Sequence, residues 1–123
     1  MTQLTPHLLL RADPGASRAA TLLGTAGYMV SKIVDDATME RISGAPNVEG
    51  VVIDLPVLTA IALVRRIEAL HGQNVAIIVI AAAVETVRRA LPSVRVIKPE
   101  EIDDDLVSTV DLALIAQPIR STA

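Results

Sequence analysis

Short apolar runs alternate along the chain with stretches in which apolar residues recur every three or four positions. The runs His7–Leu10, Tyr28–Val34, Gly50–Ile53, Val75–Ala81 and Val94–Ile97 predict five strands. The intervening stretches predict five helices. The first ends near Ala26, and the second runs from a cap at Asp35 or Asp36 to about Ser43. The others cover about Leu58–Leu70, Ala83–Leu91 and Ile102–Ala116. Punctuation supports these assignments. Asp13-Pro14-Gly15 offers Asp13 as an N-cap and Pro14 as a first helical residue. Gly27 and Gly72 supply left-handed stops, and Gly44-Ala45-Pro46-Asn47 is a loop. The Val75–Ala81 run is apolar without alternation, which predicts burial on both faces, as in a central parallel strand.

Strands that alternate with helices imply an α/β fold of three layers, with a parallel sheet between two helical faces and right-handed crossovers. Ligands of such folds bind at the carboxyl ends of the strands. A length of 123 residues suits one domain over 1–123, with a core of about 6–116 and a frayed tail at 117–123. Apolar residues make up 51% of the chain, and Tyr28 is its one aromatic, so the core must be aliphatic. The missing aromatics remove any base-stacking platform, and a net charge of -3 removes a phosphate-backbone footprint; both argue against nucleic acid. Absence of cysteine excludes disulfides and thiolate metal sites and fits a reducing cytoplasm. His7 and His71 are too far apart to read as a metal site. The N-terminus lacks the pattern of a signal peptide, and the longest apolar run, Val75–Val84, is too short to span a bilayer. The expectation is a cytoplasmic domain with no membrane contact, metal or cofactor.

Four segments, in order and spread over nearly the whole chain, resemble the receiver domains of bacterial response regulators (CheY-like). They are Leu8-Leu9-Leu10-Arg11-Ala12-Asp13-Pro14-Gly15, Ala26-Gly27-Tyr28-Met29-Val30, Val51-Val52-Ile53-Asp54-Leu55-Pro56 and Val96-Ile97-Lys98-Pro99. The resemblance implies a flavodoxin-like sheet of order 2-1-3-4-5. It sets Asp54 at the phosphoacceptor position and Lys98 at the family's lysine. The carboxylate pair that holds Mg²⁺ in the family falls on Arg11 and Ala12, with Asp13 one position late. The family's Ser/Thr position falls on Ala81 and its aromatic on Arg95. The connections after Asp54 and around the fourth helix are shorter than usual. Charge neutralisation by a metal is worth several kcal/mol in phosphoryl transfer. The expectation is therefore a degenerate, or pseudo-, receiver with little phosphorylation at Asp54. Arg11 and Lys98 are expected to flank Asp54 in the metal's place, and the Lys98–Pro99 bond is expected to be cis, as the family's usually is.

Other features have plainer readings. Helix capping accounts for Asp13 more simply than metal ligation does. Arg65-Arg66 and Arg88-Arg89 read as solvated faces, offset by Glu68 and Glu85. In the last helix Ile102, Leu106, Val110, Ala113 and Leu114 form a core stripe. Leu112 and Ile115 fall off it, beside Asp104, Ser108 and Asp111. Receivers commonly associate through the fourth helix, fifth strand and fifth helix, which makes Arg95, Leu112 and Ile115 interface candidates for a homodimer. The leading reading is a non-catalytic protein–protein module whose partners are a histidine kinase or an output domain. One alternative is a phosphorylatable regulator with an unusual site at Asp54. Another is a small-ligand domain using the crevice between Arg11, Asp54 and Lys98. No Gly-rich loop follows the first strand, so a dinucleotide is not expected, and no nucleophile–base pair can be assembled for an independent enzyme.

Overall fold

The aliphatic runs pair with one another in parallel. In the computed structural model, which describes residues 7–13, 15, 17–72 and 75–116, five strands form one sheet of order β2-β1-β3-β4-β5. The elements are β1 (His7–Ala12), α1 (Arg18–Thr25), β2 (Met29–Ile33), α2 (Asp36–Ile42), β3 (Gly50–Asp54), α3 (Val57–His71), β4 (Ala76–Ile80), α4 (Val84–Ala90), β5 (Arg95–Ile97) and α5 (Ile102–Ala116). This is the α/β, three-layer, flavodoxin-like architecture expected from the order of elements.

Successive strand residues point to opposite faces, and the core divides accordingly. Leu9, Val51, Ile53, Ile77 and Val79 pack on one face against Met39 of α2, Leu63 and Ile67 of α3 and Val87 of α4. Leu8, Leu10, Val52, Ile78 and Ile80 pack on the other against Leu23 of α1 and Leu106, Val110 and Ala113 of α5. Every residue of β4 is buried, which is why its sequence is continuously apolar. Gly27 (φ 104°) and Gly72 (φ 70°) supply the positive φ that an L-residue avoids just beyond α1 and α3.

Several boundaries differ from the sequence reading. β1 runs two residues past Leu10, so Arg11 and Ala12 belong to the strand. The following connection then has to travel further, and α1 begins only at Arg18. Its N-cap is Ser17, whose hydroxyl accepts from the Ala20 amide at 3.2 Å; Asp13 lies exposed in the connection and is not the cap of α1. Pro14 lies outside the described residues, as does the tail 117–123. Asp35 caps α2, accepting from the Thr38 amide at 2.8 Å. A 3₁₀ turn, Pro99–Glu101, leads into α5, with the Glu101 carboxylate accepting from the Lys98 amide at 2.9 Å. The Lys98–Pro99 peptide is trans, not cis.

Candidate functional site

The candidate site lies where β1 and β3 end side by side. Their register sets Arg11 opposite Ile53 and Ala12 opposite Asp54. Alternation then decides where each side chain goes. Asp54 follows Val52 by two and Ala12 follows Leu10 by two, so both belong to the α1/α5 face. Arg11 follows Leu9 by two and belongs to the α2/α3 face. There its Nε donates to Asp36 Oδ1 at 2.6 Å and its terminal nitrogen to the Ala12 carbonyl at 3.0 Å. Asp36 also faces Arg66 at 3.5 Å, and Arg66 donates to Glu40 at 2.9 Å. The Arg11 side chain is only 12% exposed within this network. The expectation that Arg11 stands beside Asp54 is therefore corrected: the two side chains belong to opposite faces of the sheet.

Lys98 makes no ion pair with Asp54 either. It borders an open cleft of about 510 Å³ whose walls include Ala82, Ala83, Val84 and Val96. The half-buried Asp54 carboxyl is pushed above its ordinary value, first by burial and then by the nearby charge of Asp13. Flanking cations would have moved it the other way, so the electrostatics also contradict a cation-neutralised Asp54.

The side-chain donors for Mg²⁺ at these strand ends are reduced to two carboxylates, with water left to complete the shell. That ion demands near-octahedral oxygen ligation at short range. Ala12, the register partner of Asp54, offers no side-chain oxygen, which leaves Asp13 and Asp54. Among the described residues no group of three carboxylate or imidazole side chains is placed to hold a metal. Ala81, just beyond β4, is buried; its amide donates to the Ile97 carbonyl at 2.9 Å, and its methyl can make no hydrogen bond to a phosphoryl group. Arg95 opens β5 at the other end from Lys98, exposed beside Val94 and Ser93.

Neither a protein-family model nor a curated protein sequence matches the chain. Solved structures do resemble it. A response regulator receiver protein from Sinorhizobium medicae WSM419 is 20% identical, with a TM-score of 0.75 over 93% of this chain and 98% of that one. The receiver domain of a sensor histidine kinase from Pseudomonas aeruginosa PAO1, with magnesium in its active-site cleft, is 20% identical with a TM-score of 0.73 over 92% and 100%. A Francisella response regulator receiver domain gives 20%, a TM-score of 0.75, and 93% and 100% coverage. This is the receiver-domain fold.

Within the receiver fold, Asp54 closes the central strand β3 and Lys98 follows the edge strand β5. The residue that sequence reasoning missed is Asp36, the anchor of Arg11. Counting by twos from Leu9 would have placed Arg11 away from Asp54. The arginine pairs also sort differently from expectation. Arg88 meets Glu85 at 3.2 Å as anticipated, but Arg66 turns to α2, and Glu68 accepts from the Ser93 hydroxyl at 2.7 Å instead. On α5, Leu106, Val110 and Ala113 are buried, whereas Leu112 and Ile115 are 57% and 80% exposed. No helix among the described residues is long and apolar enough to cross a membrane.

Proposed function

We propose that the chain is a degenerate receiver, a non-catalytic signalling module that works by protein–protein contact in the cytoplasm and not by Mg²⁺-dependent phosphorylation of Asp54. The observation that carries this reading is the Ala12–Asp54 register: the position facing Asp54 holds a methyl group, so only Asp13 is left to join Asp54 as a side-chain metal ligand. Ala81 adds to it, since no hydroxyl at the end of β4 can register a phosphoryl group. The contact face is formed by α4, β5 and α5, with Arg95, Leu112 and Ile115 exposed on it. Its occupants are a second copy of the chain and a histidine kinase or output domain. Incubation with acetyl phosphate and Mg²⁺ followed by intact-mass measurement tests the reading. The expected spectrum is unchanged; an acid-stable, hydroxylamine-sensitive phosphoryl adduct absent from Asp54→Asn would reject it.

A further inference from the structure

β5 starts late. The register sets its first residue, Arg95, opposite Ile78, whereas β4 already begins at Ala76. β3 pairs with Ala76 and Ile77 on one edge, and no strand pairs with them on the other. Successive strand residues turn their backbone groups to alternate edges, so one of these two presents its N–H and C=O to the uncovered side. Among the described residues no backbone bond outside the strand ladders involves either of them. A cleft of about 220 Å³ occupies this notch. Val75, Val94 and Ala113 give it buried apolar walls, and Glu68, Ser93 and Arg95 give it a polar rim. The Ser93 hydroxyl donates to the Glu68 carboxylate at 2.7 Å, which ties the acid on α3 to the loop before β5. Arg95 pairs neither with Glu68 nor with any other described carboxylate. One anion and one cation therefore line the same cleft without meeting.

We propose that this notch binds a small zwitterion, an α-amino acid with a short aliphatic side chain. Its carboxylate pairs with Arg95, its ammonium is shared between Glu68 and the uncovered carbonyl of β4, and its side chain rests on Val75, Val94 and Ala113. The size fits, because a cleft of about 220 Å³ lies below the ~300–1,000 Å³ typical of drug-sized ligands. The charges select as well. A simple amine leaves Arg95 unmatched and a simple carboxylate leaves Glu68 unmatched, so only a molecule with both signs satisfies the two. The notch lies at the opposite end of the parallel sheet from Asp54 and uses none of the residues around it.

An NMR titration of the 123-residue chain with L-valine, followed through the backbone amides, tests this. Saturable shifts are expected at Val75, Ala76, Ile77 and Arg95. Glu68→Gln and Arg95→Gln, each with native circular dichroism, should each weaken binding about tenfold or more, as loss of one charged hydrogen-bond partner does. Isobutylamine and isovalerate, which each lack one of valine's charges, should leave the same amides unmoved. The proposal fails if L-valine gives no saturable shift up to its solubility limit, if either single-charge analogue reproduces the shifts, or if either variant binds valine as tightly as the parent. Because the notch and Asp54 share no residue, a failed titration leaves the functional reading in place, and an acetyl phosphate adduct at Asp54 leaves the notch in place.

Discussion

Asp54 is a strand-end carboxylate in surroundings that disfavour its charge. Burial and Asp13 raise its native value, so the native state binds a proton more readily than the unfolded chain does. The stabilising contribution is complete below the ordinary carboxylate range and is lost as pH climbs through the raised native value. Asp54→Asn should therefore raise the melting temperature at neutral pH, and the gain should vanish on acidification; thermal melts across that range check it. A gain that persists in acid would mean that Asp54 is not the group responsible. Arg11 behaves differently because strand alternation turns it to the other face, where Asp36 holds it at 2.6 Å. The two residues are near neighbours in register, yet they do unrelated work.

At the scale of elements, caps and close contacts decide what the apolar pattern leaves open. Ser17, not Asp13, satisfies the first turn of α1, so Ser17→Ala should cost about 1 kcal/mol in denaturant unfolding while Asp13→Ala costs no cap. Equal costs would return the cap to Asp13. The connection after α2 is fixed by a contact that only the tertiary structure reveals. His71, the last residue of α3, bonds the Glu40 carbonyl through Nε2 at 2.6 Å, and its ring fills the space where a Gly44 side chain would stand. Gly44→Ala should destabilise by about 1–3 kcal/mol through overpacking, and His71→Ala in the same chain should recover most of that loss. Additive losses in the double variant would show that the two residues do not meet. The five strands and five helices were legible because most apolar runs are bounded by a glycine, a proline or a cap residue, the passage from β4 to α4 through Ala81-Ala82-Ala83 being the exception. The Asp13 cap was misread because the polar Arg11 hid the last two residues of β1, which shifted the expected start of α1. The His71–Gly44 contact had no signal in the sequence, since 27 residues separate the two positions and neither side chain advertises the other.

Taken whole, the molecule keeps the receiver fold while its ionic contacts serve the scaffold. Arg11, Asp36, Arg66 and Glu40 link β1, α2 and α3 in one network beside the strand ends, and Arg18–Asp103 and Tyr28–Asp111 tie the α1/β2 side to α5. The resemblance in the four sequence segments pointed to Asp54 and Lys98, which stand at the ends of β3 and β5. It misled on the cations, because aligning Arg11 with a carboxylate of the family said nothing about which face its longer side chain would take. The central claim is that no cation of either kind, metal or side chain, neutralises Asp54. The most direct measurement is a Mg²⁺ titration of the isotopically labelled protein, followed through the backbone amides around Asp13, Asp54 and Lys98. The account predicts no saturable shift there at millimolar Mg²⁺. Saturable shifts that converge on those three residues, and that Asp54→Asn abolishes, would contradict it.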